Sequence, residues 1–150
     1  LTTALYEFLF SLNVIPLSNS FNSKESYSER IKSLVGETPY RDSLYEVGMK
    51  KYRDEKNLAQ RQEYLLSVFP VIRERVFPHL LPFSRLKELG VAGGLASHPH
   101  QLGIDNSQIK RAVILAQLIT HRYTLLVFLA DLGLLEIGID CILSDPCYFG

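Results

Sequence analysis

Apolar side chains recur along most of the chain at intervals of three and four residues, which is the spacing of one helix face. The first such segment, residues 1–13, places five apolar side chains on one face: Leu1, Leu5, Phe8, Leu9 and Leu12. The alternation at every second residue that is typical of β-strands is sustained nowhere in the sequence. The pattern therefore predicts an all-α fold, a bundle of several helices.

Capping residues predict where helices of the first half begin and end. Residues 14–24 are rich in Ser and Asn and predict a loop. Ser26 and Glu29 have capping-box spacing and predict a short helix that ends before Gly36. Thr38-Pro39 predicts the start of the next helix. Asp54 predicts the start of another, which Pro70 should end or kink.

The second half contains a Gly- and Pro-rich stretch between two apolar regions. Residues 84–89 predict about one and a half helical turns, and residues 90–104 predict a loop. Asp105 or Asn106 predicts the cap of a helix that runs to Leu118. Thr124 predicts the cap of the last helix, which runs through Leu132 and stops at Gly133.

Composition narrows the class of protein. The 150 residues suit one domain, and an apolar content of 47% with 21% charged residues excludes a wholly disordered chain. Equal numbers of basic and acidic residues give zero net charge, which disfavours a nucleic-acid partner. Residues 112–135 are apolar enough to suggest a membrane span, but His121 and Arg122 stand at their middle. We therefore expect two buried helices there, no membrane partner and a cytoplasmic protein.

The charges are unevenly distributed along the chain. Residues 22–63 carry many side chains of both signs, whereas Arg122 is the only basic residue in 112–150. This charge-poor end should form the core or an interface. Arg122 needs a carboxylate, a carbonyl or a ligand phosphate as its partner. Pairing with Asp131 is the favoured interpretation, and contact with a phosphate or substrate is the alternative.

Few residues suggest a chemical site. The pair His98 and His100 lacks the further ligands that zinc requires, and a loop role is favoured over a metal role. Gly90 to Gly94 is not followed by the Lys-Ser/Thr of a phosphate-binding loop. Cys141 and Cys147 match no metal or redox spacing. The sequence accordingly predicts no catalytic, cofactor-binding or metal-binding residue in this chain.

A set of short motifs occurs in a recognisable order. Leu102-Gly103-Ile104-Asp105 is followed by a predicted helix, by Arg122-Tyr123-Thr124 and by Asp131-Leu132-Gly133. This order resembles the C-terminal end of sn-glycerol-1-phosphate dehydrogenases, including the bacterial AraM-like proteins. They belong to the superfamily of iron-containing alcohol dehydrogenases and dehydroquinate synthase-like enzymes. Upstream, Lys50-Lys51-Tyr52 and the run from Phe69 to Arg75 are also similar to that domain.

The resemblance covers residues 1–136 and implies a helical C-terminal domain. Residues 137–150 do not resemble the family and are expected to form an atypical tail, either specific to one lineage or produced by a disrupted reading frame. The family reduces dihydroxyacetone phosphate with NAD(P)H and a zinc or similar ion. Its nucleotide domain and metal ligands precede the region that this chain resembles. The first residue is Leu1 rather than Met, and we expect that domain to precede it.

Two functions follow from the resemblance and from the charge pattern. The first is the helical half of a metal- and NAD(P)-dependent polyol-phosphate dehydrogenase, which would form one wall of the active-site cleft and contribute subunit contacts. By itself it would bind no cofactor and would be inactive, so its status as an enzyme stays open. The alternative is a stand-alone helical module for interaction or oligomerisation, with no catalytic activity. The expected partner is a second copy of the chain or the nucleotide-binding domain.

Overall fold

The computed structural model describes residues 1–17, 23–120 and 122–149, and these residues form helices and connections without any strand. Short 3-10 turns occur at Phe77–His79 and Pro99–Leu102. The helices in chain order are α1 (Thr2–Ser11), α2 (Lys24–Val35), α3 (Arg41–Met49), α4 (Glu55–Val76), α5 (Phe83–Ala92), α6 (Asn106–Ile119), α7 (Leu125–Asp131) and α8 (Leu135–Ser144). The predicted all-α class is confirmed.

Several helix ends lie where the capping residues place them. The Asp54 side chain accepts a hydrogen bond from the backbone N–H of Asn57 at 2.8 Å and begins α4. Asp105 and Gln108 form a reciprocal capping box at the start of α6. Gly36 follows α2 with φ of +63°, a conformation that favours glycine. These ends depend on residues that are neighbours in the sequence, so the sequence predicts them well.

Two other predicted helix starts, those of α2 and α3, are wrong. The cap of α2 is Ser23, which accepts from the N–H of Ser26, so the predicted capping box lies inside the helix. Helix α3 begins at Arg41 rather than at Thr38-Pro39. The predicted start of the helix after Thr124 is confirmed, since Thr124 is the N-cap residue of α7, although its hydroxyl is buried and accepts no capping bond. Part of the loop predicted over 14–24 lies outside the described residues.

Pro70 neither ends nor breaks its helix, because α4 continues through it to Val76. The side chains of Leu65 and Phe69 anchor α4 in the core on one side of the proline, and Ile72 packs against the same core on the other. Burial of these apolar groups offsets the hydrogen bond that proline cannot donate. Tertiary packing therefore overrides the local preference.

Residues 90–104 are more ordered than a simple loop. Gly90 lies within α5, which extends to Ala92, and a 3-10 turn follows at Pro99–Leu102. The carboxylate of Glu7 in α1 accepts the backbone N–H of Phe83 at 2.7 Å and so fixes the start of α5. This long-range bond explains why α5 begins one residue earlier than the local pattern indicates.

The main core joins α1, α4, α6, α7 and α8. Its most buried side chains include Leu5, Leu9, Leu129 and Ile139, each at most 1% exposed. Burial of a side chain of this size stabilises the fold by about 1.5–3 kcal/mol. The charge-poor end of the chain thus forms the core, as one of the two interpretations predicts.

Residues 135–144 form α8, a helix that the sequence analysis does not predict. Its Ile139, Ile142 and Leu143 are buried in the same core as α1. Gly138 allows this close approach, because a Cβ atom there would lie 2.9 Å from the ring of Phe8. The predicted stop at Leu132 and Gly133 agrees with the end of α7, but α7 is not the last helix, and most of the expected tail packs as part of the bundle.

A smaller apolar cluster lies beside the main core. Ile31 and Val35 of α2 pack with Leu118 of α6, and each of the three is at most 4% exposed. Arg111 of α6 reinforces this contact, because its guanidinium donates to the carbonyls of Leu34 and Val35 at the end of α2. The cluster fixes α2 against α6 and forms the floor of the cleft described next.

Candidate functional site

A cleft of about 530 Å³ opens between α2, α6 and the start of α8. Two connections border it: residues 50–54 between α3 and α4, and residues 120–124 between α6 and α7. Five basic side chains and two carboxylates line the cleft, so its walls carry an excess of positive charge. The basic ones are Arg30, Lys50, Lys51, Arg53 and Arg122, and the acidic ones are Asp131 and Glu136.

The connection from 50 to 54 is held over α2 by tyrosine contacts. The hydroxyl of Tyr27 donates to the carbonyl of Gly48 at 3.3 Å, and the rings of Tyr27 and Tyr52 lie 5.5 Å apart. The ammonium of Lys51 donates to the carbonyl of Gln117 near the end of α6. These contacts bring the basic run of this connection to the edge of the cleft.

Asp131, at the end of α7, organises the opposite wall. Its side chain is only 12% exposed. One oxygen lies 3.3 Å from Nε of Arg61 and accepts from the Tyr123 hydroxyl at 3.0 Å, while the other lies 3.7 Å from Nε of Arg53. Gln62 donates to the Asp131 backbone carbonyl at 3.0 Å. Asp131 therefore ties α4 to α7 and fixes two guanidinium groups beside the cleft.

Burial and the Asp131 charge alter the proton affinity of nearby groups. Burial raises the pKa of both Tyr27 and Tyr123 to about 12, and the negative charge of Asp131 is the next cause of this rise. Burial lowers the pKa of Lys51, and the nearby carboxylate of Asp131 opposes that shift. Both phenols are therefore neutral hydrogen-bond donors at neutral pH.

The basic residues of the cleft differ in how far their charge is already compensated. Arg30 pairs with Glu136, and Arg53 lies near Asp131. Within the described part of the chain, Lys50 and Arg122 form no ion pair, and both are exposed. These two side chains come from different connections and line one cleft. An anion in the cleft would meet cations from two sides.

The favoured interpretation, that Arg122 pairs with Asp131, is wrong. Asp131 pairs with Arg61 and Arg53 of the α4 region, and Arg122 lies exposed at the cleft. Its backbone N–H donates to the hydroxyl of Thr120 at 3.2 Å. The neighbouring His121 lies outside the described residues. The alternative, contact with a phosphate or substrate, stays a prediction.

The histidine pair has a structural role in the described structure. His98 accepts the N–H of His100 with Nδ1 and contacts the carbonyl of Phe149 with Nε2. Nε2 of His100 lies 3.2 Å from the amide oxygen of Asn106. These bonds fasten the 3-10 turn to the C-terminal end. Across residues 1–17, 23–120 and 122–149, no three His, Cys, Asp or Glu side chains are grouped to hold a metal.

Sequence reasoning missed most of the cleft. Lys50, Lys51 and Arg53 belong to a stretch of mixed charge that suggests only a solvated surface. Two local signals distinguish them: their compact spacing between two predicted helices, and the similarity of Lys50-Lys51-Tyr52 to the family's domain. Their position opposite Arg122 depends on a fold that brings together segments about 70 residues apart, and no local pattern records it.

Comparison with family models, with curated proteins and with solved structures finds no match to this chain. Among the described helices, none combines the length and the apolar character that crossing a membrane requires.

Proposed function

We propose that the chain is the helical domain of an oxidoreductase similar to sn-glycerol-1-phosphate dehydrogenase, and that its cationic cleft forms one wall of the active site. The observation that carries the proposal is the position of Arg122-Tyr123, part of the motif order that carries the resemblance. Both residues line the cleft, and Arg122 is among its unpaired cations in the described structure. A phosphorylated substrate matches a wall of this charge.

The residues of this chain would bind and orient the substrate rather than perform the redox step. In the family, NAD(P)H supplies the hydride and a zinc or similar ion polarises the substrate carbonyl. The described residues do not fit that metal, since they bring together no group of three ligands. In the family the nucleotide and the metal belong to residues that this chain does not resemble. We therefore expect no dehydrogenase activity from this chain alone.

A direct assay tests that expectation. The purified chain is mixed with NADH, Zn²⁺ and dihydroxyacetone phosphate, and the absorbance of NADH is followed. We expect no turnover above the rate without protein. Oxidation of NADH that copurifies with the chain would contradict the proposal that the metal and nucleotide sites lie elsewhere.

A chimera tests the family assignment itself. This chain replaces the corresponding helical segment of an sn-glycerol-1-phosphate dehydrogenase, joined at Leu1. We expect NADH-dependent reduction of dihydroxyacetone phosphate, with a higher KM when Arg122→Ala is introduced. Lys56→Ala, at an exposed position of α4 outside the cleft, is the matched control. A folded chimera that binds NADH but is inactive would contradict the assignment.

The exposed apolar surface favours the second candidate, a module for interaction or oligomerisation. Large apolar side chains are exposed from the middle of α4 to the end of α5: Val71, Phe77, Leu81, Leu86, Leu89 and Val91. A groove of about 640 Å³ borders Phe77 and Pro70. Exposed apolar side chains in such number often mark a contact between proteins. Its test is the state of association, which is treated below.

A further inference from the structure

The cleft is larger than a site for a small phosphorylated sugar requires. Its volume of about 530 Å³ lies in the range of sites for drug-sized ligands, roughly 300–1,000 Å³. A phosphate group beside Lys50 and Arg122 would leave most of this space unfilled. The remainder of a ligand must therefore be compatible with the other walls.

Those other walls are apolar and aromatic. Ile31 and Leu118 lie beneath the floor, at 1% and 4% exposed, and Ile137 of α8 lines one side with 45% of its surface exposed. The tyrosine rings of Tyr27 and Tyr52 lie 5.5 Å apart beside the floor. Surfaces of this kind bind planar or apolar groups by dispersion and by removal of water.

The cationic side chains stand at the edge of this apolar floor, in the connections 50–54 and 120–124. A charge beside low-dielectric walls attracts an anion more strongly than the same charge on a convex surface. Asp131 and Glu136 already compensate Arg53 and Arg30. Lys50, Lys51 and Arg122 therefore supply the net positive charge, and of these the Lys51 ammonium already donates to the Gln117 carbonyl.

We infer that the cleft binds an organic phosphate whose body is apolar or aromatic, with the phosphate between Lys50 and Arg122 and the body over the floor. This inference rests on the proposed function and deepens it, since it specifies the substrate by its body as well as by its phosphate. It can fail or hold independently of catalysis, because binding is measured on the chain alone and the chimera tests activity.

The test uses calorimetry with three probes: phenyl phosphate, inorganic phosphate and benzyl alcohol. We expect phenyl phosphate to bind with one-to-one stoichiometry and about tenfold or more tightly than inorganic phosphate. Benzyl alcohol, which has the ring without the charge, should not bind measurably. Absence of phenyl phosphate binding would overturn the inference, and equal affinity for inorganic phosphate would leave an adventitious ion only.

Variants at exposed positions test the contacts to the phosphate and the contacts to the apolar body of the ligand separately. Lys50→Ala and Arg122→Ala should each weaken phenyl phosphate binding by about fivefold or more. Ile137→Ser should weaken phenyl phosphate binding while leaving inorganic phosphate unchanged. Lys56→Ala is the matched control, and an equal loss in this variant would show non-specific charge attraction and overturn the assignment. Thermal unfolding of each variant confirms that it is folded.

Discussion

At the scale of single residues, Asp131 has the most consequences for the cleft. Its carboxylate is almost buried, and its partners are two arginines and a tyrosine hydroxyl. The cationic groups and the hydroxyl donor compensate this carboxylate for its loss of water. Its role is structural, since it holds Arg53 and Arg61 beside the cleft and leaves the exposed Arg122 available.

The substitution Asp131→Asn should weaken this junction. The amide keeps the size of the side chain but loses the charge, so Arg61 and Arg53 lose their anionic partner. We expect the free energy of unfolding at neutral pH to fall by about 1–3 kcal/mol, measured by urea denaturation. The exposed control Asp42→Asn should change it by about 0.5 kcal/mol or less. Equal stability of the two variants would show that the junction contributes nothing.

The tyrosines predict how stability depends on alkaline pH. The pKa of Tyr27 and of Tyr123 is about 12 in the fold, against 10.0 for an ordinary tyrosine. A pKa raised by folding adds stability that is complete below pH 10 and is lost as the pH rises towards 12. Absorbance at the phenolate band should therefore show late titration, and Tyr27→Phe should remove part of it. Complete ionisation of all tyrosines near pH 10 in the folded protein would contradict this.

At the scale of helices, the contact between α1 and α8 shows how a later segment completes the bundle. Leu5 and Phe8 of α1 face Gly138 of α8, where no side chain intervenes. The buried side chains on both helices then belong to one core. The first and the last helices are thus packed together, although more than 100 residues separate them in the sequence.

Gly138→Ala tests the closeness of that contact. The added methyl group would lie 2.9 Å from the Phe8 ring, so the helices must separate or the ring must move. We expect a loss of about 1–3 kcal/mol in the free energy of unfolding. Gly90→Ala, within α5, is the matched control. Its new methyl group would meet only the side chain of Leu95, which follows the helix, at 3.9 Å. The control should be neutral or stabilising by about 0.4–1 kcal/mol, and the reverse order would refute the packing.

At the scale of the whole molecule, the cleft and the exposed apolar surface lie on different elements. The cleft involves α2, α6 and the start of α8, whereas the exposed apolar side chains follow the second half of α4 and α5. A helical domain that joins another domain and a second subunit needs two such surfaces. Helices α7 and α8 contribute to the cleft, while most of their apolar side chains lie in the core.

The apolar surface predicts concentration-dependent association. Sedimentation of the chain at several concentrations should show a mass that rises towards that of a dimer. Leu81→Ser and Leu89→Ser, at positions 53% and 48% exposed, should reduce the association without unfolding the chain. Lys56→Ala again serves as the control. A strict monomer at every concentration would contradict the second candidate function and leave the apolar surface without a self-partner.

Local sequence is enough to predict the helical class and those helix ends that depend on adjacent residues. These ends depend on a residue's own backbone or on partners within a few positions, so they can be predicted from the local sequence. The residues concerned are Asp54, Asp105, Gly36 and Gly133. Of the candidate site the sequence identified only Arg122 as a cation with an unusual context, and it assigned that residue the wrong favoured partner.

The contacts between segments that are distant in the sequence depend on the tertiary structure. It carried α4 through Pro70, placed α8 in the core and brought the connections 50–54 and 120–124 to one cleft. It also gave the Asp131 carboxylate to Arg61 and Arg53. These outcomes depend on burial and charge compensation summed over the folded chain, whereas the periodicity and capping of a sequence report only what neighbours along the chain do to one another.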